Sequence, residues 1–167
     1  MTFVDTHCHF DFAPFCGDEA ESLRQAAEAG VEKIIVVGVA ADRFAGVLAL
    51  AERYDPLYAA LGTHPMAIAG HQEAHLHQLE ACLRQRTPKL IAIGEIGLDL
   101  YIEDPQFDKQ QAVLDAQLRL ARQYDLPVIL HSRRTHDKLA MHLRKLDLPA
   151  RGVVHGFAGS EQQALAF

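Results

Sequence analysis

Short apolar runs recur along the chain, each followed by a loop and then by residues whose apolar positions repeat at helical spacing. The runs fall at 3–6, 33–39, 57–61, 89–94, 127–130 and 152–154, and the amphipathic segments at 18–29, 42–54, 73–85, 105–124 and 135–146. Most runs are continuous rather than alternating, which predicts strands covered on both faces, the condition of a parallel sheet. Within 105–124, Phe107, Val113, Leu114, Leu118 and Ala121 gather mostly on one helical face. Gly30 is placed to stop the first helix, and Pro105 suits the first turn of the fourth.

The expected strand ends, at 9, 38, 64, 95, 131 and 155, lie 24 to 36 residues apart, about the size of one βα unit. Strands alternating with helices predict an α/β fold with a parallel sheet. No G-x-G-x-x-G follows the first run, so a dinucleotide-binding open sheet loses support and a TIM-type (β/α) barrel is expected. Ser160 and Gln163 form a capping-box pattern that opens a further helix. The expectation is therefore a single barrel domain over 1–167, truncated to about six strands of the usual eight. Its first and sixth strands would carry open edges, which favour self-association.

Composition narrows the function. The 167 residues are 49% hydrophobic and 23% charged, ordinary globular usage that excludes a disordered chain. Sixteen basic against 22 acidic residues leave a net charge of −6, which argues against a broad basic surface gripping nucleic acid. A small site whose positive charge comes from bound metal ions remains open. The three cysteines, Cys8, Cys16 and Cys82, form no C-x-x-C pair, so a zinc knuckle or disulfide scaffold is not expected and a reducing compartment fits. Asp5 and His7 stand where a signal peptide would need a basic start, and no apolar run reaches membrane-spanning length; a cytoplasmic protein is expected.

Ten histidines are out of proportion, and their positions are informative. Five fall at expected strand ends: His7 and His9, His64, His131 and His155; Glu95 ends the fourth run. In a parallel barrel these ends open on one face, where barrel enzymes carry their active sites. His7 and His9, two apart on a strand, project to one side while Cys8 points to the other. Such a pair can share a divalent ion or be satisfied by backbone groups, with Asp5 and Asp11 as candidate acceptors behind the rings. Glu95, buried at a strand end, needs a cation, either a metal ion or a Lys or Arg partner. Gly94 and Gly97 beside it suggest close backbone approach to something, which favours a site there. His64, stiffened by Pro65, is placed to donate to a substrate oxygen; Arg133 could form a phosphate fork or a surface ion pair. His71, His75 and His77 read as an exposed helix face, and His136 and His142 receive no role.

The ordered blocks Asp5-Thr6-His7-Cys8-His9, Gly62-Thr63-His64-Pro65, Gly94-Glu95-Ile96-Gly97-Leu98-Asp99, His131-Ser132-Arg133 and His155-Gly156-Phe157 resemble those of the TatD-like metal-dependent deoxyribonucleases, themselves amidohydrolase-type barrels. The resemblance implies one divalent ion on His7, His9 and Glu95 and a second on Glu95, His131 and His155. It implies His64 and Arg133 as contacts to a substrate phosphate, and DNA as substrate, cleaved from an end. Glu95, His64 and Arg133 would then be the catalytic set. The family also uses an aspartate at the end of an eighth strand, which has no counterpart among these residues. Two divalent ions stabilise both oxygens of a phosphoryl displacement, and His with carboxylate donors permits Mg²⁺, Mn²⁺ or Zn²⁺. Two other readings stay open: a barrel hydrolase cleaving an amide, lactone or phosphotriester, and a catalytically silent metal-binding chain.

Overall fold

In the computed structural model, which describes residues 1–148 and 151–167, each expected strand is present. They are β1 (Phe3–Cys8), β2 (Val31–Val37), β3 (Leu57–Leu61), β4 (Leu90–Asp99), β5 (Val128–Arg133) and β6 (Gly152–His155). All pair in parallel and in chain order. Between them run α1 (Glu19–Glu28), α2 (Phe44–Arg53), α3 (Glu73–Arg84), α4 (Phe107–Gln123) and α5 (His136–Lys145), and α6 (Glu161–Leu165) follows β6. Each crossover returns the chain to the same end of the sheet, so every strand's C-terminus opens on one face.

The sheet is curled. Five inter-strand steps of about 4.8 Å would hold the outer strands of a flat sheet about 24 Å apart. Yet His7 on β1 and His155 on β6 stack with ring centroids 3.5 Å apart. This is the α/β barrel architecture, with six strands in place. Among the described residues β1 pairs only with β2 and β6 only with β5, leaving Phe3, Val4 and Val153 exposed along these edges.

Two apolar clusters hold the curl. The larger fills the space between sheet and helices, with Phe10, Phe44, Leu57, Leu79, Leu83, Leu114, Leu118 and Leu139 almost wholly buried. The smaller, Val37, Ala60, Ala92 and Ile129, lies on the other face and uses short side chains where the strands converge. Helix α4 does more than cover the sheet. Gln110 and Gln117, seven residues apart and hence on one face, are both 1% exposed. The Gln117 carbonyl accepts from the Thr63 N–H at 2.7 Å, behind β3. The Gln110 carbonyl accepts from the Asp99 N–H at 2.8 Å, and its amide donates to the Asp99 and Pro105 carbonyls at 2.9 and 2.6 Å. These amides satisfy strand-end backbone groups that no ladder reaches, and they fix the rim of the bowl.

Three expectations need correction. Strand β4 runs four residues beyond the expected end at Glu95, to Asp99. The reason lies in its glycines: a Cβ on Gly94 would stand 2.7 Å from the Ile129 Cβ, and one on Gly97 (φ 151°) would collide with the His131 carbonyl. The close approach is therefore of β4 to β5, not to a ligand. Pro105 lies ahead of α4 rather than in its first turn, because Gln106 is left-handed (φ 40°) and the helix starts at Phe107. Gly30 behaves as expected, closing α1 with φ 86° and accepting from the Phe3 N–H at 2.8 Å. Among the described residues no helix is long and apolar enough to cross a membrane.

Gln110→Leu should lower unfolding stability by about 1–3 kcal/mol, because buried backbone groups lose their partners. Gln123→Leu on the exposed face of the same helix should stay within about 0.5 kcal/mol. Denaturant unfolding of both variants measures the difference.

Candidate functional site

Strand ends β1, β3, β4, β5 and β6 deliver His7, His9, His64, Glu95, His131 and His155 to one cavity of about 740 Å³. The adjacent strand ends add Ser132, Arg133 and Arg134 to its wall. Glu95 is at its centre and is 1% exposed. Its Oε2 lies 2.6 Å from His7 Nε2, 3.5 Å from His9 Nε2 and 3.5 Å from His64 Nε2. Its Oε1 faces the other way, 3.2 Å from His131 Nδ1. Burial pushes the Glu95 carboxyl upward, but hydrogen bonds from His131, His64, His7 and His9 outweigh it and hold the group well below the usual carboxylate range. It is an anion, and among the described residues its ionic partners are histidines, with no Lys or Arg.

The hydrogen bonds around each ring decide what it can offer. His131 Nε2 lies 2.8 Å from Asp99 Oδ2, a carboxylate that can only accept, so Nε2 carries a proton. Burial lowers the His131 pKa, yet Glu95 and Asp99 together raise it above the ordinary value. Removal of one proton leaves a lone pair on Nδ1, facing Glu95. His64 is the reverse case. Its Nδ1 accepts from the Met66 N–H at 3.0 Å, so in the neutral ring the proton sits on Nε2. His64 therefore presents a donor, not a ligand lone pair, although its ring lies with Glu95 and His131 in a group of metal-binding size. His7, His9 and Glu95 form another such group. His155 belongs to neither group in this conformation; it lies flat against His7, its pKa lowered by burial and by the neighbouring His7.

The residues fit divalent ions. A buried carboxylate splits its two oxygens between different imidazoles, and His9 Nδ1 is buried with no partner among the described residues. His7, His9 and His131 offer nitrogen, Glu95 offers one oxygen to each side, and Asp99 stands behind His131 as the acceptor that orients it.

Other sequence readings meet the structure differently. Asp5 and Asp11 do not back the His7 and His9 rings: Asp5 accepts from the His7 backbone N–H at 3.0 Å, and Asp11 pairs with Arg43 at 2.8 Å. The Cys8 thiol, pushed up to about 11 by burial and by Asp5 and Asp11, stays protonated and packs against the core. His71 is not on an exposed helix face; it is 8% exposed and contacts the Thr63 hydroxyl at 3.2 Å. His75 instead closes the capping box of α3. His142, given no role from sequence, is buried between α4 and α5 with Nδ1 2.6 Å from Asp115. Asp99 was the site residue without an assigned role, though its position four residues after Glu95 puts both carboxylates on one side of a regular strand.

The neutral His64 ring should be protonated at Nε2 in the metal-free protein. Long-range ¹H–¹⁵N correlation spectra report this, and a proton on Nδ1 would contradict the assignment of His64 as donor.

The family model described as TatD related DNase matches residues 4–167. A relative from Escherichia coli K12, YjjV, described as an uncharacterized metal-dependent hydrolase, is 64% identical over 99% of this chain. The chain spans 64% of that relative's length. The crystal structure of YjjV superposes with a TM-score of 0.96 over 98% of this chain and 63% of its own. A Rahnella protein described as the 3′-5′ ssDNA/RNA exonuclease TatD is 34% identical over 89% of this chain and 57% of its own length. A TatD family hydrolase from Entamoeba histolytica, 25% identical, superposes with a TM-score of 0.85 over 98% of this chain and 60% of its own. By its ordered strand-end motifs, its barrel and the match along nearly its whole length, the chain belongs to the TatD family.

Proposed function

We propose that this site hydrolyses phosphodiester bonds of a DNA strand, working from an end, with two divalent ions. One ion is held by His7, His9 and Glu95, the other by Glu95, His131 and His155. The observation that carries the reading is the orientation of Glu95: Oε2 faces His7 and His9 while Oε1 faces His131. A carboxylate so divided suits a bridge between two cations better than a single ion pair. The name of the Rahnella relative supports a single-stranded nucleic acid as the substrate class.

Divalent ions bound there supply Lewis acidity and lower the pKa of a bound water, so that hydroxide is available near neutral pH. The chain's own groups do the rest. Glu95 carries a fixed negative charge between the two histidine sets and resists protonation. Asp99 holds the His131 Nε2 proton and so turns the Nδ1 lone pair toward the cavity. His64 donates its Nε2–H to an oxygen of the substrate phosphate, a donation that the Met66 N–H enforces by occupying Nδ1. Arg133, at the mouth, offers a planar donor fork to the same phosphate or its neighbour. His155 would have to leave its stack on His7 to reach an ion, a rotation at the open edge of the sheet.

Metal analysis and hydrolysis of a 3′-labelled single strand test this together. The parent chain should bind two Mn²⁺ per molecule. Glu95→Gln should lose both ions and all turnover. Asp99→Asn should weaken ion affinity roughly 10–100-fold. His64→Ala should keep both ions and lose turnover. Full ion content in Glu95→Gln would overturn the bridging role. Faster cleavage of a lactone or phosphotriester than of the strand would overturn the substrate class, and two bound ions with no turnover of any substrate would mark a silent metal-binding chain.

A further inference from the structure

At the mouth of the cavity, Arg133 and Arg134 both lie over the ring of Tyr101, with guanidinium carbons 3.7 and 4.5 Å from its centroid. Both guanidiniums belong to exposed residues that line the cavity, and neither has a carboxylate or carbonyl partner among the described residues. Glu103 and Asp104, two and three residues beyond Tyr101, make no ion pair with them.

The pair is also held in place. The Tyr101 N–H donates to Asp99 Oδ1 at 2.7 Å, while the other oxygen of that carboxylate takes the His131 Nε2 proton. Tyr101 is thereby tied through one buried side chain to the centre of the site. Arg134 is left-handed (φ 59°), a conformation unfavourable to a long side chain and normally left to Gly or Asn. It stands two residues before His136, the first residue of α5, with Thr135 as the N-cap between them.

We propose that Tyr101, Arg133 and Arg134 form a second phosphate subsite, which holds the phosphate next to the one being cleaved in a single-stranded nucleic acid. The subsite rests on the proposed phosphodiesterase reading and extends it from one phosphate to a run of them. Tyr101 is a positioning residue: its ring face carries the guanidiniums by cation–π contact and keeps them at a set distance from His131. Arg134 is the added contact. The acidic protein so places two adjacent cations on the rim, where a strand would leave the cavity.

The test is binding of a fluorescein-labelled phosphorothioate oligothymidylate to the Mn²⁺-loaded chain, followed by anisotropy across a salt series. Arg134→Asn suits the left-handed backbone and removes only the cation. It should weaken binding several-fold and flatten the plot of log affinity against log salt by about 0.7, the value of one single-strand phosphate contact. Arg134→Lys should restore the slope but not the full affinity, since an ammonium stacks less well on Tyr101. Tyr101→Leu should weaken oligonucleotide binding, while the KM for bis(p-nitrophenyl) phosphate, which has a single phosphate, should stay unchanged in both Arg134 variants. Unaltered affinity and slope in Arg134→Asn would overturn the subsite even if the chain cleaves DNA. Failure of the parent chain to bind the oligonucleotide would overturn it as well. An Arg134-dependent slope in a chain without hydrolytic activity would leave the subsite standing and remove the phosphodiesterase reading alone.

Discussion

An ionised carboxylate with almost no contact with water is the constraint around which this molecule is arranged. Glu95 sits where an unpaired charge would be costly by several kcal/mol, and no Lys or Arg comes near it. Its compensation comes entirely from imidazoles at the ends of β1, β3 and β5, segments far apart in the chain. The curl of the sheet, the short side chains of its inner cluster and the amide clamps from α4 all serve to bring those rings within about 3.5 Å of one carboxylate. The imidazole nitrogens of His7, His9 and His131 around this anion are also where a cation would bind, since ion binding and proton release go together at such sites.

The rings around Glu95 are not equivalent, and the difference is set one bond further out. Asp99 accepts a hydrogen bond from the far nitrogen of His131, so that loss of one proton frees its near nitrogen. The Met66 N–H occupies the far nitrogen of His64 and leaves its near nitrogen protonated. Two histidines that look alike in sequence thus have opposite capacities. A grouping by distance alone would put His64 among the ligands; its hydrogen bonds make it a donor.

Much of this was legible in the chain because it depends on local pattern. Strand ends could be read from apolar runs, and side chains at those ends of a parallel sheet must share a face, which is why His7, His9, His64, Glu95 and His131 were found together. What could not be read depends on contacts between distant segments. Strand β4 seemed to stop at its glycines because their tolerance comes from β5 pressing against them. Asp99 gained its role only once that strand continued. His71 looked like a surface residue until the turn before α3 folded it against Thr63. Arg134 and Tyr101, thirty-three positions apart, carry no shared motif and meet only through the register that pairs Asp99 with Arg133.

The stack of His7 on His155 has a bearing on how the polypeptide matures. The two rings come from β1 and β6, so they meet only once both of these distant strands have docked. A partly folded chain with β1 in place but β6 undocked would hold His7 without the ring that stacks on it. Whatever free energy a bound cation contributes then accrues to states in which both strands are docked, and it tightens the cooperativity between them.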